Sequence, residues 1–152
     1  MRAKWTLVTA VVAAFAFLTG VNGPLGPTVF GWRPAPTITA PTGVQLPLFV
    51  LLGLTEALAF GFGLAFLLFG YPWLRRAGPA PASLTRLAHL SIAWVLTNWW
   101  SHDSLHIANG TDLRGLLAIE YAYHLTLMLA GVLAAAWFSG VVRGGRAAPG
   151  GG

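Results

Sequence analysis

Cysteine is absent from this chain of 152 residues. That excludes disulfides, iron–sulfur clusters and thiolate metal sites, so a bound metal would rest on His, Asp, Glu or backbone oxygen. The two methionines are too few for a thioether Cu(I) site. Charge is the next scarcity. Only 9% of the residues are Asp, Glu, Lys or Arg, against about 25% in ordinary soluble domains. Acids are rarest, with four in all. The formal net charge of +5 comes from nine basic residues spread between hydrophobic segments. Membrane topology accounts for them better than nucleic-acid binding does. The sequence carries neither a Gly-rich phosphate loop nor an internal repeat.

What fills the chain is apolar. Hydrophobic residues make up 56%, and the mean hydropathy is +0.69. Four long apolar runs predict an all-α integral membrane bundle of four transmembrane helices at about 5–21, 46–70, 84–106 and 113–138. They form one transmembrane domain over residues 1–142, followed by a disordered basic tail over 143–152. The first run, Trp5 to Val21, follows Arg2 and Lys4 like a signal peptide. Its exit lacks an Ala-x-Ala cleavage site and its length approaches the ~17-residue lower limit for spanning, so a retained helix is expected. Asn22 to Gln45 is a proline-rich loop, read as an ordered spacer or a lid. In the second run Gly53, Ala57, Gly61 and Ala65 recur every four residues, a small-residue stripe that lets a neighbouring backbone approach closely. Asn109-Gly110 marks a turn before the last run.

The basic residues set the orientation. Arg2, Lys4, Arg75, Arg76, Arg86, Arg143 and Arg146 fall on one side, Arg33 and Arg114 on the other. The positive-inside rule puts both termini in the cytoplasm, in the plasma membrane. The loop after the third run then faces outward.

Beneath that outer surface the rare polar residues gather. Three of the four histidines lie in the third and fourth runs near their shared turn. His102 and His106 are four residues apart, on one helix face and about 5–6 Å between Cβ atoms, the spacing by which two imidazoles reach one ion. Glu120 and His124 repeat the relation, on a face expected to run through Leu113, Leu117, Leu127 and Gly131. Asn98 is one turn below His102. Glu56, in mid-helix, is expected to share a layer with His124. An ionised residue at a helix centre costs roughly 2.5–3.5 kcal/mol on insertion scales. A divalent cation would neutralise Glu56 and Glu120 together. His102, His106, His124 and Glu120 are therefore the metal-ligand candidates, for Zn²⁺ or non-haem Fe. Glu120 and Glu56 are the candidate catalytic bases, and Asn98 and Tyr123 candidate cofactor-binding groups.

Other residues have plainer expected roles. Asp103, about 100° around the helix from His102, is expected to face the loop or cap a chain end. His89, Trp99 and Trp100 are expected to anchor or pack at the interfaces. Ser101 and Ser104 flank His102 too closely for a nucleophile–base–orienter triad.

The expected function is thus a metal-binding membrane protein, with a metal-dependent membrane enzyme as its sharper form. A haem-binding electron carrier is one alternative. The other is a non-enzymatic subunit whose polar residues serve packing or proton relay. The expected partners are the lipid bilayer, further copies or a larger membrane complex, and an unidentified small molecule.

Overall fold

The computed structural model describes residues 2–78 and 80–147, with side chains to residue 143. These residues form helices α1 (Arg2–Thr19), α2 (Gly26–Val29), α3 (Gln45–Phe69), α4 (Tyr71–Ala77), α5 (Ala82–Asn109), α6 (Leu113–Ile119) and α7 (Leu125–Ala147). A single π turn, Glu120–His124, joins α6 to α7. No strand occurs among the described residues.

Three stretches among the described residues are long and apolar enough to cross a membrane: α1, α3, and Leu113–Arg143 through the π turn. At most 22% of each apolar window is buried inside the molecule. The rest turns outward, as a lipid environment requires. The long helix α5 is not of this kind. Its 28 residues include Arg86, His89, Asn98, His102, Asp103 and His106. It is one of the two inner elements of the row, packed against α3 on one side and α7 on the other. A helix shielded by protein on two faces need not be apolar all round.

The long helices pack as sequence neighbours, α1 on α3, α3 on α5 and α5 on α7, while α1 and α7 share no substantial interface among the described residues. Between apolar surfaces in lipid, contact energy comes from close packing. The small-residue stripe supplies it. Ala57, Gly61 and Ala65 are buried, and a Cβ at Gly61 would strike the Thr9 carbonyl of α1. Gly53, the fourth member, has open space beside it.

Two apolar clusters sit at opposite ends. At the end carrying Arg75 and Arg76, Phe66, Leu74, Ala88 and Trp137 pack together, with Trp5 and Val141 against them. His89 is buried there. Its Nε2 lies 2.9 Å from the Phe66 carbonyl, in the last turn of α3, and its ring packs on Phe66 and Tyr71. The interfacial anchor expected of His89 is therefore a buried link from α5 to the end of α3. At the other end Trp100 donates through Nε1 to the Ala16 carbonyl at 2.8 Å and packs on Trp32 and Phe60.

The loop between α2 and α3 folds over this second end. Its Ala35 N–H bonds the Ile107 carbonyl at 2.9 Å. Gly110 adopts φ +61°, and a side chain there would collide with Thr37. The Asn109-Gly110 turn is thus where expected. Asp112 then caps α6, accepting from the Gly115 N–H at 3.0 Å. At the chain's far end, α7 continues through Arg143 to Ala147, where a disordered tail was expected. The remainder of that tail, 148–152, lies outside the described residues.

Candidate functional site

Helix α5 carries polar side chains on two adjacent faces near its C-terminal end. One face meets the π turn. The other meets α3.

On the π-turn side, the Nε2 atoms of His102 and His106 face each other at 3.1 Å. His106 Nε2 is 3.9 Å from Glu120 Oε1, and the other Glu120 oxygen contacts His124 Nδ1. The His102 and His124 rings lie 5.1 Å apart. Tyr123 sits 5.3 Å from His102 and stacks on Trp94 at 5.8 Å. Trp94 Nε1 donates to the Thr126 hydroxyl at 3.0 Å, which ties α5 to α7 just below. His102, His106, His124 and Glu120, the four candidate ligands, thus meet in one cluster. The meetings are pairwise, and no group of three or more His, Asp or Glu among the described residues is arranged to hold a metal ion.

The π turn explains the geometry. It takes up one extra residue between two α segments and rotates them relative to each other. The face expected to run through Leu113, Leu117, Leu127 and Gly131 is not the packing face, and of its members only Leu127 is half-buried. Leu113 and Leu117 point outward, 69% and 49% exposed, and Gly131 is exposed too. Packing instead uses Ile119, Ala130 and Trp137. Glu120 and His124 stand at the edge of that strip with half-exposed side chains.

On the α3 side, Glu56 and Asp103 line one cavity. Its volume is about 320 Å³, and they share its wall with Phe49, Val50 and Trp100, under the loop at Pro24 and Pro41. Glu56 and His124 stand near the level of Asp103 and His102 but on different sides of α5, so Glu56 lines the cavity and does not join the π-turn cluster. Asp103 lines the cavity beneath the loop, in keeping with the expectation that it faces the loop, and it also reaches His102. Its Oδ1 lies 3.3 Å from His102 Nδ1, so it bridges the two faces. A residue 100° around a helix from a site is still adjacent to it when the neighbouring helix supplies a second polar face.

Asn98 is fully buried. Its Nδ2 donates to the Trp94 and Val95 carbonyls of its own helix, at 2.9 and 3.0 Å. Its Oδ1 has no partner among the described residues. Sequence reasoning had passed over Asp103 as a site member. The available signal was its place between His102 and the rest of the polar run, in a chain with only four acids.

Comparison of the chain with family models, with curated proteins and with solved structures finds no match. The reading of function therefore rests on the residues themselves.

Proposed function

We propose that this is a four-span membrane protein, with both termini cytoplasmic, that binds a divalent metal between α5 and the π turn. His102, His106, His124 and Glu120 would be its ligands. The observation that carries the reading is their convergence. Three imidazoles and a carboxylate from two elements form one unbroken series of contacts in an otherwise apolar chain. Ligands of one tetrahedral ion, each about 2.0–2.1 Å from it for imidazole nitrogen, lie a little over 3 Å apart. The His102–His106 nitrogen separation of 3.1 Å is close to that. Glu120, half-exposed, is free to turn its carboxylate towards the same point. Zn²⁺ and non-haem Fe both suit such a set. In the enzymatic form of the proposal the three imidazoles alone would hold the ion, water would take the fourth position, and Glu120 or Glu56 would serve as base rather than ligand.

Haem fits less well. The axial imidazoles it would take from α5 and the π turn, His102 and His124, have ring centres 5.1 Å apart, and His102 Nε2 already faces His106.

A second reading is favoured by the pairing itself. His102 with Asp103 and His124 with Glu120 pair within their own elements without any ion, and His106 with Glu120 crosses from α5 to the π turn, the kind of polar contact that joins transmembrane helices. Elemental analysis of detergent-purified protein, wild type beside His102→Ala, separates the two. One equivalent of Zn or Fe in the wild type and none in the variant supports the metal site. Metal-free wild type, unaltered in stability by chelator, leaves the packing reading.

The orientation is testable in the same material. The chain has no cysteine, so a single introduced thiol is the only one present. Thr111→Cys should react with a membrane-impermeant maleimide on intact cells, and Ala77→Cys only after permeabilisation. The reverse pattern would invert the topology.

A further inference from the structure

We infer that Asp103 is the positioning residue of the His102 site: it fixes His102 as the Nδ1–H tautomer and so turns the Nε2 lone pair towards His106 and the proposed ion. This deepens the metal reading and rests on it for its consequence, though not for its geometry.

The geometry is local. His102 Nδ1 is 3.3 Å from Asp103 Oδ1. A carboxylate oxygen accepts, so Nδ1 must donate. In a neutral imidazole the other nitrogen then carries the lone pair. That nitrogen is Nε2, which lies 3.1 Å from His106 Nε2. His102 is buried, with the edge of Trp99 on its ring at 6.1 Å and Tyr123 beside it. It therefore has little freedom to flip.

On its other side Asp103 lines the cavity that Glu56 of α3 also lines. Carboxylate, histidine and metal in series is the arrangement by which outer groups fix a ligand's tautomer and raise its basicity. Glu56, expected as a base and as a further ligand or an acceptor behind the ligands, lines the cavity beside the residue that orients one of them.

The test has two arms on the full chain in detergent. In the metal-free protein, ¹⁵N NMR of the histidine rings reports the tautomer directly, with the His102 signals identified by their loss in His102→Gln. Wild type should show His102 as Nδ1–H. Asp103→Leu should shift it to Nε2–H or a mixture, and Asp103→Asn, whose amide oxygen still accepts, should retain Nδ1–H. A wild-type Nε2–H tautomer, or one unaltered by Asp103→Leu, overturns the inference whatever the metal does.

In the second arm each variant is titrated with cobalt(II), followed by its visible d–d absorption. Asp103→Leu should weaken binding by about 10–100-fold, with Asp103→Asn recovering most of it and circular dichroism unaltered in both. Equal affinity in wild type and Asp103→Leu overturns the positioning role. Failure of the wild type itself to bind cobalt overturns the metal reading, while the ring tautomer still decides what Asp103 does to His102.

Discussion

Two histidines on α5 invite comparison. His89 and His102 are buried alike, 8% and 7% exposed, and each touches aromatic rings. His89 meets a backbone carbonyl and no other titratable side chain but Tyr71. His102 meets Asp103, His106, His124 and Tyr123. Burial by itself therefore says little about what a histidine does in a helical membrane protein. The partners decide. One satisfied by a helix-end carbonyl links two elements. One surrounded by other ionisable groups has chemistry open to it.

The comparison breaks most decisively at His102. Its replacement by alanine should abolish stoichiometric metal binding while the purified protein still elutes and melts as a folded species. If bound metal persists, His102 is no different in kind from His89. The reciprocal variant is smaller in effect and opposite in character. His89→Leu should lower unfolding stability in detergent by about 1 kcal/mol, the usual net worth of one hydrogen bond, and leave metal content intact. The Phe66 carbonyl keeps its Gly70 N–H partner at 2.7 Å, which limits the loss. A fall in metal content on that substitution would join the two ends of α5 into one functional unit.

The smallest effect belongs to Asn98, one turn from His102. Its Nδ2 bonds carbonyls of its own helix and its Oδ1 is orphaned. Removing both polar atoms by Asn98→Leu should hold or raise the unfolding free energy, by no more than about 1 kcal/mol, because a buried unsatisfied acceptor carries a desolvation cost. Cobalt affinity should not change. A drop in affinity would return Asn98 to the groups that serve a cofactor.

The legible and the illegible parts of the site divide along physical lines. His102 and His106 were paired correctly because four residues on one α-helix fix their separation. Glu120 and His124 also meet, although not on the face their spacing implied. The π turn between Ile119 and Leu125 rotates that face, and nothing in Glu-Tyr-Ala-Tyr-His announces it. The cavity that Asp103 and Glu56 share was not legible for a different reason. Both residues sit on helices whose sequences are polar or apolar in the right places, but their meeting at one cavity depends on how far α3 is turned and slid along α5. The close approach at Gly63, where a Cβ would strike Leu96 and Thr97, is part of what sets that register.

Sequence alone determined that the chain is helical, where the long helices run to within a few residues for the first three, where the loop turns at Asn109-Gly110, and which small residues let α1 lie against α3. Each of these follows from local composition, helical period or a steric demand at a single position. The tertiary structure decided which carboxylate meets which imidazole, that α5 is packed on both sides with polar groups on two faces, and that Asp103 lines a cavity of its own beside His102. Those outcomes depend on the relative rotation and depth of neighbouring helices. A helix's own period marks a face, but only packing determines what that face meets.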